Sequence, residues 1–176
     1  PEHPYYDNDA KKTDLNLYSK LNYELGRGWN SYLDLQLRRV QYEFLGYNEL
    51  GFNVAQMADY LFFNPKAGLL WTINPRSKAY ASLSLANREP NRNDFLGLTV
   101  ENTPKPERLL NTEIGWTGEW KKGTLTANLY HMYYRDQLAL NGEINQVGEF
   151  TRINIDKSYR LGLELNGATQ LSPALQ

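Results

Sequence analysis

Residues 14–25 read Asp14-Leu15-Asn16-Leu17-Tyr18-Ser19-Lys20-Leu21-Asn22-Tyr23-Glu24-Leu25. The odd positions are Leu15, Leu17, Ser19, Leu21, Tyr23 and Leu25; the even ones are Asp14, Asn16, Tyr18, Lys20, Asn22 and Glu24. Successive side chains of a β-strand point to opposite faces, so this period of two sets one face in an apolar medium and the other in a polar one. Gly26-Arg27-Gly28-Trp29-Asn30 then predicts a tight reversal, because glycine supplies the backbone freedom it needs.

The alternation continues along the chain. A second strand is expected over 31–44, with Leu33, Leu35 and Leu37 on one face; the apolar phase then moves to Val40, Tyr42 and Phe44. The doublet Arg38-Arg39 marks that slip and predicts a bulge. Residues 46–60 lose the alternation and read as a long loop. A third strand is expected over 61–73, with an irregularity at Pro65, and Asn74-Pro75-Arg76-Ser77 reads as a turn. Further strands are expected over 78–87, 109–121 and 124–140, with a turn at Lys121-Lys122-Gly123. Residues 88–107 and 141–148 read as long loops. Residues 149–155 and 159–165 read as two more strands, and 171–176 as the start of another turn. Short connections near Gly28, Pro75, Gly123 and Pro173 thus alternate with long ones centred near Phe52, Asn93 and Gly142.

Composition narrows the class. A formal charge of -1 gives no net basic face for a nucleic-acid partner. The absence of cysteine excludes a disulfide framework and a thiolate metal site. Thirteen Tyr and four Trp accompany a mean hydropathy of -0.64, and no stretch approaches the roughly 20 apolar residues of a membrane helix. Residues 1–10 are polar and unlike a signal peptide. Two all-β architectures fit: a soluble β-sandwich, such as a carbohydrate-binding module, and a transmembrane barrel.

Strand length and the placing of aromatics favour the barrel. Sandwich strands run about 5–6 residues, whereas tilted strands crossing a bilayer need about 9–11. Tyr23, Trp71, Trp116 and Trp120 sit toward the short-turn ends, as an interfacial girdle requires, rather than mid-strand in a core. The expectation is an all-β, antiparallel up-and-down meander of about eight strands with short turns on the periplasmic side. Because the chain opens in a loop and closes on a turn, residues 1–176 are expected to be part of a larger transmembrane β-barrel with outer-membrane lipid on one face.

Four pieces carry a resemblance. Tyr80-Ala81-Ser82 leading to Arg88-Glu89-Pro90 is similar to the strand-to-loop stretch of TonB-dependent outer-membrane receptors. Pro106-Glu107, then Asn111-Thr112-Glu113-Ile114-Gly115, resembles the family's following strand. Tyr133-Tyr134-Arg135-Asp136-Gln137 and Tyr159-Arg160-Leu161-Gly162-Leu163-Glu164 resemble the next two. The resemblance implies a 22-stranded barrel with an N-terminal plug, active uptake of a ferric siderophore, haem, cobalamin or glycan, and coupling to the TonB protein through a part of the parent not contained in 1–176. It implies a receptor rather than an enzyme, with no cofactor of its own. A passive porin or adhesin barrel is the alternative. By itself the segment is not expected to transport.

His3 and His131 are the only histidines, so a Ser–His catalytic pair or a protein-borne metal site has little to draw on; His131 reads as an interfacial residue. Glu113 and Glu119 lie too far apart along one strand for acid–base partnership and read as lumen lining. The ligand-binding candidates are in the loops: Tyr47, Asn48, Phe52 and Tyr60 in the first, Arg88, Asn91, Arg92 and Asn93 in the second. Aromatic platforms beside amide and guanidinium groups suit a polar, ring-containing ligand, and the resemblance implies a small nutrient or metal chelate. The plainer reading of each is solvated loop or loop packing, and Arg88 reads as an anchor of the strand-to-loop junction.

Overall fold

The computed structural model describes residues 7–47, 55–91, 94–95, 103–144 and 150–170. Eight strand segments form one antiparallel sheet: β1 (Asp7–Gly26), β2 (Trp29–Tyr47), β3 (Gln56–Phe63), β4 (Lys66–Asn74), β5 (Ser77–Arg88), β6 (Glu107–Trp120), β7 (Gly123–Ile144) and β8 (Phe150–Thr169). Their order is β1-β2-β4-β5-β6-β7-β8, with β3 also on β2. β3 and β4 share one row, because Leu37 faces Phe63 and Asp34 faces Lys66 in a single continuous register. The result is the expected meander. No helix among the described residues is long and apolar enough to cross a membrane, which leaves crossing by strands open.

Two faces follow from the register. Leu17 (70% exposed) pairs with Leu37, Leu21 with Leu33, and Leu129 with Leu163 (64% exposed), so large apolar side chains form one continuous outward band. A wall this apolar suits hydrocarbon rather than water. At the tight-turn end Trp29 lies opposite Trp71 with ring centroids 5.0 Å apart and planes 2° from parallel. Nearby, the Trp116 indole donates to Ser77 Oγ at 2.9 Å. These rings form the girdle expected at an interface.

The first turn is two residues long. Arg27 and Gly28 both have positive φ (52° and 83°), the requirement of the mirror-image turns that match strand twist. At the next turn Asn74 Oδ1 accepts from Arg76 N at 2.9 Å, an Asx turn. Trp29 and Asn30 already belong to β2, so the first reversal is tighter than expected. The turn expected near Pro173 lies outside the described residues.

Three expectations are corrected. There is no bulge at Arg38-Arg39: Arg38 faces Asn16 and Arg39 faces Leu15 without a shift. The apolar residues change face because the inward face becomes core at that height, where Val40 and Phe62 are buried. The strands also run well past the expected loop boundaries: β2 reaches Tyr47, β3 begins at Gln56, and Gly142 lies in β7 rather than at a loop centre. Above the apolar band both faces meet water, so paired strands persist there without alternation. For the same reason the separate segments over 149–155 and 159–165 are one strand, β8. The irregularity at Pro65 is present. Asn64 Oδ1 accepts from Asn87 N at 2.9 Å, while Pro65 O accepts from Leu85 N at 3.0 Å, so the row keeps register across a residue without an N–H.

The inward face repeats one packing device. Tyr32 lies opposite Gly68, Tyr80 opposite Gly115, and Tyr130 opposite Gly162. In each pair a Cβ on the glycine would enter the tyrosine ring. The ring covers the bare backbone of its partner strand, and Tyr80 reaches over Gly115 to donate to Asn128 Oδ1 at 2.9 Å. Gly115→Ala is therefore expected to destabilise by about 1–3 kcal/mol through overpacking. In a Tyr80→Ser background the same change is expected to be neutral or stabilising. A double-mutant cycle by urea unfolding in lipid vesicles checks this, and equal costs in both backgrounds would refute the contact.

Candidate functional site

The inward wall is polar and laterally bonded. Gln36 Nε2 donates to Asn16 Oδ1 at 2.8 Å, Asn64 Nδ2 to Gln36 Oε1 at 2.9 Å, Asn87 Nδ2 to Asn64 Oδ1 at 2.8 Å, and Arg108 Nε to Asn87 Oδ1 at 3.3 Å. This relay crosses the sheet at one height from β1 to β6. Two buried acceptors, Asp34 Oδ1 and Asn111 Oδ1, have no hydrogen-bond partner among the described residues. Lys20 Nζ is the ionic neighbour of Asp34, at 4.0 Å.

Above the relay, the segment that follows β5 turns onto the inward face. Glu89 receives Arg38 Nη1 and Nη2 on its two oxygens, each at 2.8 Å, and Lys12 Nζ at 2.9 Å. Arg38 also donates to Asp14 from Nε, at 3.1 Å, and from Nη2, at 2.6 Å. The next residue, Pro90, is fully buried. Asn91 and Asp94 then cap each other: Asn91 N donates to Asp94 Oδ2 at 2.7 Å, and Asp94 N to Asn91 Oδ1 at 3.1 Å. The other oxygen of Asp94 takes Arg152 Nη1 from β8 at 3.2 Å. One short segment is thus tied to β1 and β2 at one end and to β8 at the other. Among the described residues Val40, Phe62, Phe95, Tyr134 and Leu138 form the buried apolar core, and Tyr60 stacks on Phe62 with centroids 5.6 Å apart.

Electrostatics hold this clamp. Burial pushes the Glu89 carboxyl up, but the hydrogen bonds from Arg38 and Lys12 outweigh it and hold the group below its ordinary value. A bidentate guanidinium–carboxylate pair out of bulk water is among the stronger contacts available to a protein.

The candidate residues fare differently. Tyr60 is a strand residue opposite Val40, not a loop residue, and it stands beside the clamp. Tyr47 is the end of β2, opposite Asp7. Arg88 pairs with Glu107 at 3.2 Å, and Glu107 also accepts from Leu138 N at 3.0 Å, so Arg88 anchors the junction. Asn91 is a cap. Asn48, Phe52, Arg92 and Asn93 lie outside the described residues. Sequence reasoning does not single out Lys12, Asp14, Arg38, Glu89 and Asp94 as a cluster. Their one signal is the apolar phase change at Arg38, which marks where the inward face stops being a polar wall. His131 lies toward Tyr159, ring centroids 6.2 Å apart, on the outward face. Glu113 faces Ser82 and Tyr130 on the inward wall. No group of three His, Cys, Asp or Glu able to hold a metal occurs among the described residues. A shallow apolar depression of about 670 Å³ exists, but it is lined by Leu21, Leu33, Ala67, Leu69, Ala81 and Leu83 on the outward face, away from these polar groups.

The family described as TonB dependent receptor-like, beta-barrel, matches residues 1–175. The chain belongs to this family. The ferric-pyoverdine 358 receptor of Pseudomonas putida is 34% identical over 76 residues, which is 43% of this chain and 9% of that protein. Solved structures share the fold. The copper transporter OprC superposes with a TM-score of 0.78 at 16% identity, covering 94% of this chain and 28% of that one. The FrpB iron transporter from Neisseria meningitidis, F3-3 variant, gives 0.71 at 21% identity, covering 95% and 25%. The chain therefore spans about a quarter of the length of these solved relatives.

The clamp has a pH signature. Because the folded carboxyl of Glu89 sits low, its stabilisation is complete above the ordinary carboxylate range and is lost as pH falls through the folded value. At neutral pH, Glu89→Gln is expected to unfold at lower urea than the unsubstituted protein, by about 1–3 kcal/mol. That gap should close as the solution is acidified, and a gap that stays constant with pH would contradict the assignment.

Proposed function

We propose that this chain is part of a barrel that imports a scarce metal as an anionic chelate, such as a ferric siderophore, across the outer membrane of a Gram-negative bacterium. The observation that carries the reading is the ion-paired clamp on the inward face. There Glu89 and Asp94 of the segment after β5 reach across the sheet to Arg38 and Arg152. Membership of the receptor family supports it, as do relatives named for ferric, iron and copper cargo. An ion-paired segment on the inward face suits capture of a ligand followed by energised release, and so coupling to TonB through another part of the parent protein.

In this reading residues 1–176 supply part of the barrel wall, and a plug domain fills the lumen. Asp34 Oδ1 and Asn111 Oδ1, acceptors without a hydrogen bond among the described residues, face the side where such a plug, or water, would meet the wall. Among the candidates Tyr60 is retained as a ligand neighbour, because it lies beside the clamp with its ring already ordered against Phe62. The segment alone, as an open sheet, does not transport.

The test is uptake. Deleting the gene that encodes this chain should abolish accumulation of radiolabelled iron from at least one of a panel of ferric siderophores, and deleting the coupling protein should abolish it equally. Uptake that persists without the coupling protein would favour a passive porin, and a detergent-independent monomeric product would favour a soluble sandwich.

A further inference from the structure

We propose that Arg108, Arg135 and Lys157 form a site on the outward wall for the phosphate of an anionic lipid headgroup, at the loop-side boundary of the membrane. The inference uses only the lipid-facing wall and is independent of the cargo.

The three cations form one row. Arg108 on β6 faces Arg135 on β7, and Arg135 faces Lys157 on β8. All three are exposed and stand in the outward phase of their strands, with Leu110, Leu129 and Leu161. Like charges directly opposite one another on a ladder are destabilising, so the row calls for an anion. No ion pair among the described residues includes any of the three. Arg108 donates Nε to Asn87 Oδ1 at 3.3 Å, where the amide relay reaches the outward phase, and its Nη groups stay available. Asp136, next to Arg135 in sequence, pairs with Lys105 at 3.8 Å instead, and Asp156 stands in the opposite phase of β8. Arg39 shows the contrast. It is outward on β2, and Asp59 takes its Nε at 3.1 Å and its Nη2 at 2.6 Å.

Position selects a lipid over a soluble anion. Arg108 and Trp120, a ring of the turn-side girdle, lie twelve residues apart on β6. At about 3.4 Å per residue and a tilt of about 35–45°, that is about 30 Å of height, the thickness of a hydrocarbon core. The row next below the cations is Leu110, Tyr133 and Tyr159, and the one beneath it Thr112, His131 and Leu161. Tyr159 is 71% exposed, with its ring toward His131. Amphipathic rings belong at headgroup level. A phosphate held by the Arg135 fork between its two cationic neighbours lays its acyl chains against Leu161 and Leu163.

The probe is spin-labelled phosphatidylglycerol, compared with spin-labelled phosphatidylcholine in phosphatidylcholine vesicles that carry the full-length protein at low ionic strength. The readout is the ratio of the two labels held immobile at the protein. A cation beside an anionic lipid surface is worth about a fivefold preference. Arg108→Gln, Arg135→Gln and Lys157→Gln combined should therefore lower the phosphatidylglycerol preference by at least about fivefold. Arg135→Lys, which keeps the charge, should retain most of it. Arg39→Gln with Asp59→Asn, a neutral exchange of an outward pair, should leave it unchanged. Should the triple variant fail to insert, Arg135→Gln alone should lose part of the preference. The proposal is overturned if the preference survives these Gln variants. It is also overturned if replacing chloride by inorganic phosphate at constant ionic strength abolishes the preference, which would mark a site for a soluble anion.

Discussion

Each strand of this sheet separates two media, and the rest of the structure follows from that. Backbone N–H and C=O groups cannot be left unpaired in hydrocarbon, so neighbouring strands must bond along their whole length. With pairing fixed, the period of two sends every other side chain outward. Leu15, Leu17, Leu21, Leu125 and Leu129 form the apolar band, and Asn16, Gln36, Glu113 and Asn128 the polar wall, from one set of ladders. The lateral amide relay and the tyrosines over Gly68, Gly115 and Gly162 are ways of completing that wall without breaking the ladders.

The same constraint explains what is legible in the sequence. Tight turns are readable because Gly28, Asn74-Pro75 and Gly123 carry local conformational signals. The meander is readable because alternation survives wherever the two faces meet different media. Strand ends beyond Phe44 or Leu140 are not, because paired strands standing in water on both sides show no alternation. Arg38 is ambiguous for a related reason. A change of apolar phase has two causes, a bulge or a change in what the face meets, and single-sequence periodicity cannot separate them; the unbroken register shows the second.

The candidate site is the least legible part. Its groups come from β1, β2, β8 and the segment after β5, so no short stretch of sequence contains them. Arg88 and Glu89 are adjacent in sequence and divide the work: Arg88 ties β5 to β6, while Glu89 crosses to β2. Composition points to aromatic and amide loops as ligand contacts, whereas the structure concentrates charge on the inward face, where burial strengthens it. The polar wall carries a charged cluster at its loop end, where the segment after β5 is tied to β1, β2 and β8.

Spin labels at successive positions of residues 14–25 probe the division of media along a strand. In lipid vesicles containing the full-length protein, labels at the odd positions should collide with dissolved oxygen, and labels at the even positions with a water-soluble nickel chelate, giving opposed accessibilities with a period of two. Accessibilities that rise and fall together, or that show no period of two, would be incompatible with a strand that divides lipid from water.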